Sequence, residues 1–207
     1  SVGEVMAIGR TFRESLQKAF RSLEVGLHGL ETKETEHRNL DMGKIRFASA
    51  FRLLKVKQAL EKNHDIFEIH DQTKIDPWFL YQIQQIVNLK NNMNLKNLHE
   101  LKQNGFSDIQ IGQELNKTEN EIRKIRIENK ILPTYKIVDT CAAEFEAETP
   151  YCYSTYETEN EIIPLKGNKI MILGGGPNRI GQGIEFDYCC VQAVFGLKEI
   201  GYKTIMV

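Results

Sequence analysis

The sequence predicts a mainly α-helical domain followed by an incomplete α/β unit. Helix-start signals followed by apolar residues at helical spacing recur as far as Pro133. Beyond it the helical period stops, and near the end of the chain a glycine-rich turn separates a short apolar strand from a helix and a second strand. Parallel sheets normally contain more than two strands and are covered on both faces, so the α/β unit is predicted to stop inside a domain.

The helical part opens with a strong start signal. Thr11-Phe12-Arg13-Glu14 has the form of a capping box, and the apolar spacing after it predicts a helix from about Thr11 to Val25. The polar stretch from His28 to Met42 is predicted to be a mobile surface loop. Apolar residues then recur over several turns and indicate further helix: Ile45, Phe47, Ala48, Phe51, Leu54 and Leu60.

Three later helix starts are visible. In Asp76-Pro77 the carboxylate can cap the first amides while Pro occupies the first helical position. Trp78, the only tryptophan, is predicted to anchor this helix against a neighbour. Ser107 and Thr118, each with an amide or acid three residues on, predict two short helices. The apolar face after Pro77 comprises Phe79, Leu80, Ile83, Ile86 and Val87.

The part after Pro133 has a different pattern. Residues 134–161 lack a helical period but carry five aromatic side chains, which predicts an extended, well-anchored linker because disordered linkers are poor in aromatics. Residues 169–173 are predicted to form a strand, followed by the turn GGGPNRIGQG (174–183). The helix after it should end at Gly201, and residues 202–207 should form the second strand of a βαβ unit.

The glycine-rich turn matches neither common phosphate-binding pattern. It lacks the Gly-Lys-Ser/Thr ending of a P-loop, and Arg179 stands where the dinucleotide fingerprint has its third glycine, which is displaced to Gly181. A ligand-contacting loop and a tight structural turn therefore both remain open. The same holds for Arg179 and Glu185, which either form a local ion pair at a helix start or face a ligand.

Composition excludes several classes of protein. Basic and acidic residues number 27 and 28, so charge does not favour a polyanion partner, and no window is apolar enough for a membrane helix. Neither the five histidines nor the cysteines have metal-site spacing, so no metal site is predicted. We expect a cytoplasmic protein with four reduced thiols. These are Cys141, Cys152, Cys189 and Cys190.

Two other functions fit parts of the sequence. Residues 106–131 have the rhythm of a helix-turn-helix, with Arg123, Lys124 and Arg126 on the second helix, so nucleic-acid binding is an alternative. Six basic residues against five acidic ones between 101 and 131 argue against it, because phosphate binding needs a clearly basic face. A small dinucleotide-binding protein is disfavoured by the displaced glycine.

Five strings, in the same order, closely resemble the large subunit, or synthetase region, of carbamoyl-phosphate synthase. The resemblance covers nearly the whole chain and is weakest across 28–74. The strings are SVGEVMAIGR (1–10), IDPWFL (75–80), VDTCAAEF (138–145), YSTYE (153–157) and GGGPNRIGQGIEFDYCC (174–190).

The resemblance implies an internal fragment of an ATP-dependent ligase. Members of the family make carbamoyl phosphate from bicarbonate, glutamine-derived or free ammonia and two ATP, through carboxyphosphate and carbamate, which pass through an interior tunnel. Pyrimidine and arginine biosynthesis are the implied pathways. The implied regions are 1–10 as the tail of the first ATP-grasp half, 11–137 as the helical oligomerisation domain, 138–168 as the linker, and 169–207 as the start of the second half.

The same resemblance implies a scaffolding role for this segment and no catalytic residue. The parent would use ATP with Mg²⁺ or Mn²⁺, and K⁺ is a further candidate, but this segment would bind none of them. Its partners would be the remaining synthetase halves, a glutaminase subunit or domain, and further copies of the same chain, with no nucleic acid and no membrane. Arg179 and Glu185 match residues lining the carbamate passage. The loop beside them contains Gly174, Gly175, Gly176, Gly181 and Gly183.

Overall fold

The computed structural model describes residues 4–31, 42–146, 151–174, 179–180 and 183–207. Helices dominate the first part of the chain, and short strands lie mainly in the second. The helices are α1 (Phe12–Ser22), α2 (Met42–Ile45), α3 (Arg52–Glu61), α4 (Ile66–Thr73), α5 (Pro77–Asn91), α6 (Leu98–Gln103), α7 (Asp108–Leu115), α8 (Glu119–Glu128) and α9 (Gly183–Glu199), with a 3₁₀ turn at Leu95–Asn97. The strands are β1 (Glu4–Val5), β2 (Thr134–Ile137), β3 (Cys152–Thr155), β4 (Lys169–Ile172), β5 (Arg179–Ile180) and β6 (Lys203–Met206).

Local capping signals set where several helices begin. Before α7, the Ser107 hydroxyl accepts a hydrogen bond from the Gln110 amide while the Gln110 side chain accepts one from the Ser107 amide. Thr118 and Glu121 make the same reciprocal pair before α8. The Asp76 carboxylate accepts from the amide of Trp78, with Pro at the start of α5. These three predicted helix starts are confirmed, because each cap satisfies amides that the helix leaves unpaired.

The predicted first helix is present but shorter than expected. It ends at Ser22, and Glu24 adopts a left-handed conformation (φ 53°) before the predicted end at Val25. Of the predicted polar loop, residues 32–41 lie outside the described residues, and Met42 already belongs to α2. At the described beginning of that loop, Leu30 is buried in the core and its amide donates to the Gln17 side chain at 2.8 Å.

The core of the helical domain is built around α5. This helix packs against α1, α3 and α4, and four of its five predicted core residues are buried. Phe79 is the exception at 42% exposure, and Trp78, predicted as an anchor, is 52% exposed. Both rings make edge contacts with Phe12 of α1, with centroids 5.2 and 5.5 Å away, so Trp78 contacts a neighbouring helix without being buried. The buried four are Leu80, Ile83, Ile86 and Val87.

The linker forms a hairpin-like pair of strands. Strands β2 and β3 run antiparallel, with Thr134 opposite Thr155 and Ile137 opposite Cys152. The backbone amides of Tyr135 and Ile137 also donate hydrogen bonds to the side chains of Asn160 and Glu161, at 2.8 and 2.9 Å. An extended, anchored linker is therefore the structure that these residues adopt.

The predicted βαβ unit is present at the end of the chain. Strands β4 and β6 are parallel and α9 connects them, packing on both. Helix α9 ends at Glu199, two residues before the predicted end at Gly201. Gly201 lies in the turn that follows and has φ 88°, a conformation that is costly for residues with a Cβ. Described residues contribute two strands to this sheet, so the fold class, mainly α with an incomplete α/β unit, is confirmed. Within the described ranges no helix combines the length and apolarity needed to cross a membrane.

A third strand pair joins the beginning of the described chain to the segment between β4 and α9. Strand β1 runs antiparallel to β5, with Glu4 opposite Ile180 and Val5 opposite Arg179. The segment before the helical domain therefore contacts the segment that follows the strand of the α/β unit. Neither composition nor periodicity indicated this pairing, because two-residue strands carry no period.

Candidate functional site at the junction of the helical domain and the linker

Three parts of the chain meet at the buried carboxylate of Glu14. Thr11 caps α1 as predicted, but the Glu14 side chain does not close the capping box. Its Oε2 instead accepts from the amide of Arg10 at 2.7 Å and from the hydroxyl of Thr155 in the linker at 3.1 Å, and its Oε1 pairs with Lys18 at 2.8 Å. Glu14 and Thr155 are each 1% exposed, so this carboxylate ties the tail and linker to α1.

Lys18 makes the same connection from the next turn of α1. Its ammonium donates to the carbonyl oxygen of Ile8 in the tail at 2.9 Å and to that of Ser154 in the linker at 2.6 Å. With the Glu14 contact, these acceptors use all three N–H groups of the ammonium. The Tyr153 ring, whose centroid lies 5.8 Å from the ammonium, covers it from the linker side.

A second buried ionic cluster lies between α6, α7 and α8. Asp108 accepts from Lys102 at 2.7 Å through one oxygen and from two nitrogens of Arg126, at 3.1 and 3.2 Å, through the other. The side chains of Lys102, Asp108 and Arg126 are 7%, 10% and 8% exposed. The Tyr156 ring of the linker lies over both cations, 5.1 Å from the Lys102 ammonium and 5.6 Å from the Arg126 guanidinium.

Burial and pairing shift the protonation of this cluster. Burial lowers the pKa of Lys102 to about 8, although Asp108 acts in the opposite direction. Burial alone would raise the pKa of Asp108, but Lys102 and Arg126 outweigh it and hold that pKa below its usual value. The two cations therefore favour the ionised form of Asp108, whereas burial disfavours the charged form of Lys102.

A cavity of 230 Å³ joins the two clusters. Three basic and three acidic side chains line it, so its charge favours neither anions nor cations. Across the described ranges no group of three His, Cys, Asp or Glu residues is placed to hold a metal ion. The arrangement is suited to holding the linker on the helical domain. The six charged lining residues are Glu14, Lys18, Arg21, Lys102, Asp108 and Glu119.

The sequence-predicted site residues lie elsewhere. Arg179 is in β5 beside Val5 of β1, and Glu185 is in the first turn of α9. Gly174 follows β4, and its amide donates to the carbonyl oxygen of Val207 at 2.7 Å; Gly183 begins α9. Gly175, Gly176 and Gly181 lie outside the described residues. The role of Arg179 and Glu185 at a carbamate passage stays a prediction.

Sequence reasoning missed the Glu14 junction and the Asp108 cluster. Glu14 was visible only as the acid of a capping box, and its partner Thr155 lies 141 residues away. The three basic residues of α8 that suggested nucleic-acid binding do not share one environment. Arg126 is buried on Asp108 while Arg123 and Lys124 are exposed, so these three cations do not form one basic face, and nothing supports that alternative.

The structure thus combines a helical domain, a linker anchored on it, and a βαβ unit with two described parallel strands. Residues 4–130 match the family model "Carbamoyl-phosphate synthetase large chain, oligomerisation domain", and residues 166–207 match "Carbamoyl phosphate synthase preATP-grasp domain". The chain belongs to the carbamoyl-phosphate synthetase large chain family. The family resemblance of the sequence is thereby confirmed.

Relatives from distant organisms match the whole chain. The carbamoyl phosphate synthase large chain of Archaeoglobus fulgidus is 49% identical over 223 residues, covering 100% of this chain and 21% of the relative. That of Pseudomonas aeruginosa is 49% identical over 221 residues, with 100% and 20% coverage. The arginine-specific, chloroplastic large chain of Oryza sativa is 45% identical over 219 residues, with 100% and 19% coverage. The chain thus spans about a fifth of the length of these relatives.

Proposed function

We propose that this chain is the central segment of a protein that makes carbamoyl phosphate. In the proposed reaction, ATP phosphorylates bicarbonate to carboxyphosphate, ammonia displaces phosphate to give carbamate, and a second ATP phosphorylates carbamate. The observation that carries the proposal is the order of the two family matches, 4–130 and 166–207, on one chain. The relatives named as carbamoyl phosphate synthase large chains, matched over the full chain, support it.

The test of this proposal is the activity of the complete protein that contains the chain. We expect carbamoyl phosphate formation that depends on bicarbonate, ATP and a divalent cation, Mg²⁺ or Mn²⁺, with K⁺ tested as an additional requirement. Supplying either glutamine or free ammonia will show whether a glutaminase subunit or domain is needed. Absence of carbamoyl phosphate with every nitrogen source would refute the proposed activity.

Within that protein, this segment serves as a scaffold between the two synthetase halves and does not itself bind ATP. The hydrogen bond from Thr155 to Glu14 and the two carbonyl contacts of Lys18 support this role, because they tie tail, helical domain and linker together. Calorimetric titration of the chain with ATP and Mg²⁺ is expected to give no binding heat. Saturable ATP binding would contradict a purely scaffolding role.

Arg179 and Glu185 are proposed to line the passage for carbamate. A guanidinium can bind a small carboxylate-like anion through charge-assisted hydrogen bonds, and Glu185 would orient it. Arg179→Ala in the complete protein should raise the ATP hydrolysed per carbamoyl phosphate formed, because carbamate escapes before the second phosphorylation. Arg179→Lys, which keeps the charge, should give a smaller increase. An unchanged ratio in Arg179→Ala would remove this assignment.

Partners, pathway and location follow from the same family. We propose assembly of further copies through the helical domain, use of the product in pyrimidine or arginine synthesis, and a cytoplasmic location. None of the four cysteines, all within the described ranges, is in a disulfide, which supports a reducing compartment. The Oryza sativa relative, named as arginine-specific and chloroplastic, supports the arginine pathway. Cell fractionation and the nutritional requirement of a deletion strain test these points.

A further inference from the structure

The short segment from Glu4 to Arg10 is held at both ends. At its C-terminal end, the carbonyl oxygen of Ile8 accepts a hydrogen bond from Lys18 at 2.9 Å, and the amide of Arg10 donates one to Glu14 at 2.7 Å. At its N-terminal end, strand β1 pairs with β5. The segment therefore bridges the helical domain and the strand that carries Arg179.

The β1–β5 pair is too short to persist by itself. It comprises two residues in each strand, and even complete isolated hairpins are only marginally stable in water. The anchor at Ile8 limits where Val5 can lie, because Ile8 is only three positions along the chain from Val5 and an extended chain spans at most about 3.5 Å per residue. Fixing Ile8 on α1 thus confines Val5 to within roughly 10 Å of that anchor and lowers the entropy cost of pairing with Arg179.

Several contacts hold the segment from Ile8 to Arg10 on α1. Lys18 donates to three acceptors, and Glu14, 1% exposed, accepts from the tail amide as well as from Thr155. A Cβ on Gly9 would come within 2.9 to 3.0 Å of the amide nitrogen of Ser15 and of the Glu14 side chain, so the tail lies directly on α1. The tail is therefore fixed by packing as well as by hydrogen bonds.

We propose that residues 4–10 act as a strap that holds β5 in position, with Lys18 and Glu14 as positioning residues for the strand of Arg179. The strap transmits the position of α1 to the α/β unit without contacting substrate. Its connection with carbamate transfer rests on the function proposed above for Arg179, whereas its existence does not.

Hydrogen exchange of the complete protein, followed by mass spectrometry, tests the strap. Lys18→Met removes three donors, and losing hydrogen bonds to a charged group should speed exchange at residues 179–180 by about tenfold or more. Lys18→Arg should restore most of the protection. Val5→Pro, which fixes φ and lacks a backbone N–H within β1 but lies outside the helical domain, should also speed exchange at 179–180. Exchange in α5 reports whether the domain stays folded in each variant.

Thr155→Val is the matched control. It removes the linker's hydrogen bond to Glu14 but leaves the contacts of the strap, so exchange at 179–180 should stay within about twofold of the native rate. The inference is overturned if Val5→Pro leaves exchange at 179–180 unchanged, or if Thr155→Val speeds it as much as Lys18→Met does. If Lys18→Met also loosens α5, the comparison of Val5→Pro with Thr155→Val decides.

The ratio of ATP hydrolysed to carbamoyl phosphate formed, measured on the same variants, separates the two proposals. Faster exchange at 179–180 together with a raised ratio supports both the strap and the role of Arg179. Faster exchange with an unchanged ratio supports the strap and contradicts the role of Arg179. Unchanged exchange in Val5→Pro contradicts the strap whatever the ratio.

Discussion

Removing the carboxylate of Asp108 should destabilise the helical domain more than most single substitutions. Asp108 is the only anion of the three-residue cluster, and it accepts three hydrogen bonds from Lys102 and Arg126. Asp108→Ala leaves two cations, 7% and 8% exposed, without their counter-ion. Breaking a buried ion pair by deleting one partner costs about 3–5 kcal/mol, so we expect a loss of that size in the free energy of unfolding.

Urea denaturation followed by circular dichroism measures this loss. Glu128→Gln is the control, because Glu128 pairs with Lys124 at 4.0 Å with both side chains more than half exposed, and such pairs contribute less than about 1 kcal/mol. Asp108→Asn should fall between the two, since the amide keeps the shape but loses the charge. A loss below about 1 kcal/mol in Asp108→Ala would show that solvent, and not Asp108, compensates the two cations.

Substitutions at three further positions test the two clusters. Because the folded pKa of Lys102 is about 8 against an ordinary 10.5, the unfolded chain binds more protons between these values. The free energy of unfolding should therefore rise between pH 8 and 10.5, on the order of 3 kcal/mol from this group. Lys102→Met should reduce this rise. An equal rise in the native protein and in Lys102→Met would contradict the lowered pKa of Lys102. Gly105→Ala should cost about 1–3 kcal/mol, because Gly105 has φ 84° and a Cβ would lie 2.9 Å from Glu14 and Gln17; an unchanged midpoint in urea would contradict this packing. Tyr156→Leu should lose about 1 kcal/mol of cation–π attraction while Tyr156→Phe keeps it, and equal losses in both would assign the effect to the hydroxyl group.

Local signals in the sequence predicted most of the helical starts and the βαβ unit. The caps at Asp76, Ser107 and Thr118 act over three residues, so they can be recognised without knowledge of the fold. The strand, glycine-rich turn and helix near the end are likewise contiguous. The aromatic residues of the linker correctly indicated anchoring, because Tyr153 and Tyr156 both lie over cations of the helical domain.

The junction could not be predicted in the same way. The contacts of Lys18, Arg126 and Glu14 with other segments span 10, 18 and 141 residues, respectively. The sequence does not distinguish a buried charged residue from an exposed one. Trp78 makes the predicted contact with a neighbouring helix, through Phe12, but its 52% exposure could not be predicted from its size. The two-residue pairing of Val5 with Arg179 is likewise a tertiary contact between distant segments, which no local signal indicates.

The most direct test of the proposed scaffold places a second carboxylate beside Glu14. Thr155→Asp would put two carboxylates in a site where both side chains are 1% exposed, and their repulsion should displace the linker from α1. Thr155→Ser keeps the hydroxyl and serves as the control. In the complete protein, we predict that Thr155→Asp retains bicarbonate-dependent ATP hydrolysis but consumes several times more ATP per carbamoyl phosphate than Thr155→Ser. Native stoichiometry and native rate in Thr155→Asp would contradict the claim that this junction connects the two halves.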